Sequence, residues 1–455
     1  MSIKKLKVRS DLFQIIISLL LCLTLTVCGF ILPLRPTFSD SEKRELAKFP
    51  AFSFAALFDG SYFRNIDTWF SDTFPFREQW ISGNAQVKQY YGISINQVHG
   101  ELEESDDIPE VNERPTLPVL PSTEATTTAP ITEATTSAMT TTQSATQKGE
   151  VMTDPPIKTQ NLGAVLVAGN TGYEYYNFNR TEADRYTNAL NKLSAQLNGK
   201  AKLYEMVVPT SIGITLDDSI KKSVNSSDQK KAIDYMYSRL NTSINVVDIY
   251  DTMLNHRNEY IYFNTDHHWT ALGAYYAYEQ FMIVAGKEVT PILNYDTVDY
   301  DGFLGSFYTD TGKNAALGKN PDTVTAYLPS KNAKMTITNK SGGSFSWPII
   351  SDVTKSSASY KYLTFIGGDN PYSVIHNSDI TDGSSCLVVK ESFGNAFVPF
   401  LTNHYQTVHV IDYRYYNTKI NDFVTKHKVQ DVLFINNISA TRSKMLVSDI
   451  VDIIG

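Results

Sequence analysis

The chain has 455 residues, enough for one large domain or two ordinary ones, and its 42% apolar residues support a sizeable core. A formal charge of -8, with Lys and Arg scattered beyond the N-terminus, leaves no basic stripe to track a phosphate backbone and argues against nucleic acid as a partner. Of three cysteines, Cys22 and Cys28 lie in an apolar run, so Cys386 alone can form neither an internal disulfide nor a cysteine zinc site in the soluble part.

In chain order, residues 1–38 open with Lys4, Lys5, Lys7 and Arg9 and continue as an apolar stretch from Leu12 to Leu34. As a helix that stretch is long enough to span a bilayer core of about 30 Å. It ends in Ile31-Leu-Pro-Leu-Arg35 without a small-residue cleavage site, which predicts an uncleaved transmembrane signal anchor. The basic flank places the N-terminus inside and the rest outside, as a single-pass protein of the cell membrane with an extracellular main domain. Over 39–100, Phe63, Ile66, Trp69, Phe70 and Phe74 recur near helical spacing and predict amphipathic helices packed on a larger core. Residues 101–159 shift abruptly to Thr, Pro, Ala, Ser and Glu. Such a composition buries too little apolar surface to offset ordering, and predicts a disordered or stalk-like linker.

Over 160–455, short runs rich in Val, Ile and Tyr alternate with helical patterns. The strand candidates are 163–168, 203–208, 245–249, 260–263, 386–389, 408–411 and 432–435, and the helix candidates are 182–197, 228–240, 271–284 and 439–453. The alternation predicts an α/β fold with a mostly parallel sheet covered by helices. Residues 289–359, rich in Gly, Asn, Ser and Thr, break it and predict an irregular or antiparallel insertion.

Two strings carry chemistry. Tyr260 to Thr270 runs from an apolar segment through Asn-Thr-Asp-His-His-Trp toward a helix, and in parallel α/β sheets ligands bind beyond the carboxyl ends of strands. Residues two apart in an extended turn project to the same side, so the Asp266 carboxylate can reach the His268 ring and hold its tautomer while His267 points elsewhere. Cys386 to Leu401 reads as strand, tight turn and helix, with Ser392 at the turn beside the amides of the helix start. That is the placement a nucleophile and an oxyanion hole need. The same residues also suit plain structural work: Thr265 or Asp266 as a helix cap, and Ser392 likewise. An Asp with two His residues also suits a metal, although no further ligands stand at matching strand ends, and no metal or cofactor is expected.

Thr265-Asp-His-His-Trp-Thr270, followed by Leu272-Gly-Ala-Tyr-Tyr-Ala-Tyr278, resembles the signature of the DHHW protein family, which is similar to the SGNH-hydrolase-like alginate O-acetylation proteins. Lys390-Glu-Ser-Phe-Gly-Asn-Ala-Phe, Val410-Ile-Asp-Tyr-Arg-Tyr-Tyr416 and Trp69-Phe-Ser-Asp-Thr-Phe-Pro-Phe-Arg77 resemble further family motifs in the expected order. The resemblance implies an SGNH-hydrolase-like three-layer fold and a catalytic triad of Ser392, His268 and Asp266. Phe365-Ile-Gly-Gly-Asp-Asn-Pro371 resembles the family's glycine-and-asparagine loop, which makes Asn370 a candidate oxyanion donor or a turn residue before Pro371. Trp269 and Arg414 are the candidate substrate-binding residues. One departure stands out: Glu391 precedes Ser392 where related sequences more often carry Asp or a small polar residue.

The function implied is O-acetyl transfer or acetyl ester hydrolysis on a cell-surface polysaccharide, served by a multi-pass membrane O-acyltransferase. Two alternatives differ in class: an Asp-His-His metal-dependent phosphoesterase, and a non-catalytic carbohydrate-binding envelope protein that would tolerate loss of the Ser392 hydroxyl.

Overall fold

The computed structural model describes residues 35–39, 44–54, 57, 61–76, 96–100, 102–111 and 163–455. The apolar stretch from Leu12 to Leu34 lies outside them, and among the described residues no helix is long and apolar enough to cross a membrane.

Before the Thr-rich tract stand helix α1 (Ser61–Asp72) and strand β1 (Asn96–His99). Trp69 on α1 is buried under the Arg35 guanidinium, 3.9 Å from its ring, with Phe49 edge-on at 4.8 Å. After the tract come β2 (Val165–Ala168), β3 (Thr171–Glu174), helix α2 (Arg180–Leu197), β4 (Lys202–Val208), α3 (Gln229–Ser238), β5 (Ile244–Val246) and α4 (Ala271–Ala285). Then follow β6 (Thr297–Phe303), β7 (Asp322–Tyr327), β8 (Ala333–Thr338), β9 (Ser344–Trp347) and β10 (Tyr372–Asn377). The chain closes with β11 (Ser385–Lys390), α5 (Gly394–Leu401), β12 (Thr407–Asp412), α6 (Ile420–His427), β13 (Asp431–Asn437) and α7 (Lys444–Ile454).

The main sheet has eight strands in the order β9-β8-β10-β12-β11-β13-β4-β5. From β12 to β5 neighbours run parallel; β10, β8 and β9 extend that sheet antiparallel at one edge. Side chains alternate across a strand, and two adjacent residues of β4 show what covers each face. The Tyr204 ring meets Phe281 of α4 at 5.2 Å, whereas the Glu205 carboxylate accepts from the Tyr186 hydroxyl of α2 at 2.5 Å. Helices therefore lie on both faces, α4 with α5 on one and α2 with α6 and α7 on the other. Every residue of β11 is buried, which explains its continuous apolar run and makes it the centre of the fold.

Two strand expectations change. The run 163–168 forms β2, but β2 joins a separate antiparallel sheet with β1 and β3. The run 260–263 is not a strand: Tyr260 is exposed, Ile261 to Phe263 are buried, and the chain folds back on itself, with a single bridge between Tyr262 and Trp269 and the Thr270 amide donating to the Ile261 carbonyl at 2.9 Å. Its side chains serve packing rather than a ladder: the Phe263 ring meets Phe303 of β6 at 5.1 Å and Tyr362 at 6.1 Å. Gly273 permits that fold, because a Cβ there would stand 2.5 Å from the Ile261 carbonyl oxygen. The 289–359 region holds an antiparallel pair, β6 with β7, and also supplies β8 and β9 to the main sheet.

Residues 102–111, expected within the linker, lie along the domain. Asp106 accepts from the Arg180 amide at 2.8 Å and donates its own amide to the Phe178 carbonyl at 2.9 Å, and Glu103 pairs with Arg442. The apolar Ile108 and Val111 pack against the core.

Candidate active site

Ser392 stands just past the carboxyl end of β11, at the turn into α5. Its hydroxyl lies 2.7 Å from His268 Nε2, and His268 Nδ1 lies 2.5 Å from Asp266 Oδ1. Two segments more than a hundred residues apart thus join in one hydrogen-bonded line, all three residues buried and Ser392 retaining 9% exposure. The simpler structural roles fall to other residues. Thr270 caps α4, its hydroxyl accepting from the Gly273 amide, and the residue at the cap of α5 is Phe393 without any side-chain cap bond.

The Asp266 loop is held from a distance. Asp322, at the start of β7, accepts from the Asn264 amide at 2.9 Å and the Thr265 amide at 2.7 Å. The Ser306 amide donates to Asp266 Oδ2 at 2.8 Å, and the small sheet contributes the Gly172 amide to the Asn264 carbonyl at 2.8 Å. Gly305 is required by space, since a Cβ there would come within 2.2 Å of Asp266 Oδ2. Asp322 and Ser306 escape sequence reasoning because they sit in the region that reads as an irregular insertion. No local pattern marks them.

Burial alone would raise the Asp266 carboxyl, but the adjacent His268 and His267 charges and the hydrogen bonds it accepts outweigh that and hold it well below the usual carboxylate range. It stays an acceptor, which fixes the His268 proton on Nδ1 and leaves Nε2 to face the serine. The Tyr362 ring stacks on His268 at 4.0 Å and its hydroxyl donates to the Ser392 carbonyl at 3.1 Å. His267 does not point away from this line. Its ring lies 3.9 Å from that of His268, and its Nδ1 meets the Ser306 hydroxyl at 2.6 Å.

Three expected roles are corrected. Trp269 is fully buried and its indole donates to the Phe393 carbonyl at 2.9 Å, so it ties the histidine loop to the serine turn and offers no face to a sugar. Arg414 is buried with its guanidinium on Asp412, at 2.9 and 2.6 Å, and on Asp369 at 2.8 Å, leaving it no reach for substrate. Asp369 and Asp412 also hold Lys390, at 3.1 and 2.9 Å. The amides at the helix start are engaged within the turn: Phe393 donates to Glu391 Oε2, Gly394 to the Glu391 carbonyl and Asn395 to the Ser392 carbonyl. They are not an open oxyanion hole. Asn370 donates to the Gly367 carbonyl at 3.2 Å, closing the turn that begins at Ile366, a residue with a φ of 49°. A β-branched residue in the left-handed region stores strain next to the site.

The side-chain donors of Asp266, His267 and His268 all lie within 4.8 Å of one another, and among the described residues no fourth such group joins them. The nitrogens nearest the carboxylate are already used, His268 Nδ1 by Asp266 and His267 Nδ1 by Ser306. The cluster is organised as a hydrogen-bonded line, not as an ion cage.

A family model described as DHHW protein matches residues 42–116 and 144–411, spanning Asp266 to Trp269 and Ser392. The chain belongs to the DHHW family. The structure is similar to that of a DHHW family protein from Eubacterium siraeum, at 30% identity and a TM-score of 0.58, over 64% of this chain and 96% of that one. It is also similar to Bacillus cereus PatB1, at 21% identity and a TM-score of 0.53, over 62% of this chain and 98% of that one. PatB1 with a sulfonyl adduct gives 19% identity, a TM-score of 0.52 and coverage of 62% and 97%. At those identities the likeness to PatB1 is one of fold. A comparison with curated proteins finds no match.

Proposed function

We propose that this protein is an extracytoplasmic, serine-dependent O-acyltransferase or esterase that handles acetyl groups on a cell-envelope polysaccharide. The observation that carries the reading is the unbroken line from Asp266 through His268 to Ser392, with links of 2.5 and 2.7 Å. Ser392 Oγ attacks the acyl carbonyl carbon as His268 Nε2 takes its proton, and Asp266 steadies the imidazolium through Nδ1–H. The imidazolium gives that proton to the departing alcohol, leaving an ester on Ser392. A sugar hydroxyl then loses its proton to His268 and attacks the ester carbonyl, and the proton returns to Ser392 Oγ. Water in place of the sugar makes the same site an esterase.

The basic flank and the apolar run to Leu34 support an anchored, extracellular location. In this reading a multi-pass membrane O-acyltransferase supplies the acyl group, and the unit from 160 to 455 carries the chemistry.

PatB1, which shares this fold, carries a sulfonyl adduct in one structure, so a sulfonyl fluoride is an apt probe. Full-length protein in detergent should gain one sulfonyl group, located on Ser392 by peptide mass spectrometry. It should also release acetate from an activated acetyl ester, with rates unchanged by chelator. Labelling elsewhere, or loss of activity on chelation, would sink the serine reading. Adding an oligosaccharide acceptor separates transfer from hydrolysis.

Gly305→Ala tests the support behind the triad. A methyl group that displaces Asp266 should lower ester turnover about 100-fold with the protein still folded, the usual cost of a misplacement near 1 Å. Turnover within twofold of wild type would show that the Asp266 position does not matter.

A further inference from the structure

Glu391 is fully buried between the end of β11 and the start of α5, one residue before Ser392. Its Oε2 lies 3.2 Å from Ser392 Oγ and 3.2 Å from the Phe393 amide nitrogen. Its Oε1 accepts from the Asn437 amide at 3.0 Å, at the end of the neighbouring strand β13. One side chain therefore spans from the nucleophile to the next strand. We propose that Glu391 is a positioning residue that locks the Ser392 turn to the end of β13 and aims the serine hydroxyl at His268. This rests on the reading of Ser392 as the nucleophile.

The geometry gives each carboxylate oxygen separate work. Ser392 has one hydroxyl proton and two acceptors within reach, His268 Nε2 at 2.7 Å and Glu391 Oε2 at 3.2 Å. The shorter contact takes the proton, and the longer one sets a carboxylate oxygen against Oγ, so the side chain has little freedom to rotate off the triad line. Meanwhile Oε2 occupies the Phe393 amide and Oε1 prevents the turn from lifting away from β13. Burial pushes the Glu391 carboxyl upward, and Arg414 with the Asn437 amide pulls the other way. A buried acid flanking the nucleophile is tolerated because two backbone donors satisfy it.

Length is the distinguishing property. Aspartate at this position is one methylene shorter, so from the same backbone it can serve Ser392 and Phe393 or reach toward Asn437, but not both. Glutamine keeps the length but replaces one acceptor oxygen with an NH2 that can only donate, and one of the two backbone N–H groups then faces a donor.

The test uses full-length protein with Glu391→Gln, Glu391→Asp and Glu391→Ala, probed by sulfonyl fluoride labelling and by acetyl ester kinetics. The glutamine and alanine variants should label at Ser392 about 10- to 100-fold more slowly and lose kcat to the same degree, with KM within about twofold. The aspartate variant should recover part of that loss. Far-ultraviolet circular dichroism keeps the comparison to folded protein, and labelling rates are read on that fraction if a variant folds poorly. Labelling at the wild-type rate in Glu391→Gln would overturn the proposal. So would a loss confined to KM, or an alanine variant no slower than the aspartate one. If wild type itself fails to label at Ser392, the serine reading has failed and not merely this extension of it.

Discussion

Replacing Ser392 with alanine is expected to cut turnover of an activated acetyl ester by about 10⁴-fold or more, with unfolding behaviour close to wild type. The expectation follows from what the hydroxyl touches. It has its proton on the His268 line and sits at a turn whose backbone is held by other groups, so its removal takes away the nucleophile and little of the scaffold. His268→Ala should cost a similar factor, and the double variant hardly more, since the two act as one unit. Asp266→Asn gives a sharper check. An amide facing His268 Nδ1 can donate there, which moves the ring proton to Nε2 and leaves the side toward Ser392 unable to accept; the loss should again be about 10⁴-fold with geometry intact. A Ser392→Ala protein that keeps a tenth of wild-type turnover would remove Ser392 as the nucleophile, whereas a wild type with no turnover at all would favour an envelope protein that only binds.

The second large effect is on stability. The buried Lys390, Asp412 and Arg414 with the partly exposed Asp369 form a set of two cations and two anions that fastens the end of β11 to the end of β12 and to the 366–370 turn. Asn395 of α5 adds a donor to Asp369 at 2.9 Å. Neutralising one acid strands a buried cation, so Asp412→Asn should destabilise by about 3–5 kcal/mol and lower the thermal midpoint by about 10 °C. A loss below about 1 kcal/mol would mean that water reaches the cluster. The pH dependence has a definite sign. Burial alone would raise Asp369, yet Arg414 and Lys390 hold it well below the usual range. Its stabilisation is therefore complete above the unfolded carboxyl value of about 4 and is lost as pH falls below it. Urea midpoints between pH 6 and pH 3 would follow that loss, and Asp369→Asn should flatten it.

The parts of this site that were legible in the sequence are the local ones. Asp266 and His268 are two residues apart, and Ser392 follows a continuous apolar run, so spacing and run length speak directly to their placement. The β11, β12 and β13 runs and helix α4 were readable for the same reason. Partners across long sequence separations were not. Asp322 reaches Thr265 across 57 residues, and Ser306 reaches Asp266 across 40. Composition also encodes burial without saying against what. Trp269 and Arg414 looked like surface ligands because an aromatic ring and a guanidinium serve sugars well, yet one packs into the core and the other closes an ion cluster. The 260–263 run is not a strand because the chain folds back there, Tyr262 bridging Trp269, while Phe263 packs on Phe303 and Tyr362.

Strand β1 precedes the Thr-rich tract and pairs with β2 after it, and a Cβ on Gly100 would stand 3.0 Å from the Gly163 carbonyl oxygen. The chain that departs after Val111 and the chain that returns at Gly163 thus belong to the same folded body. In topological terms the tract is a bight, a detour whose two ends are moored at one quay, and not a tether strung between two objects. Its contour length then has no say in where Ser392 sits relative to the paired strands β1 and β2. Doubling such a detour costs only about 0.6 kcal/mol in closure entropy. A change in its length therefore costs the folded body little.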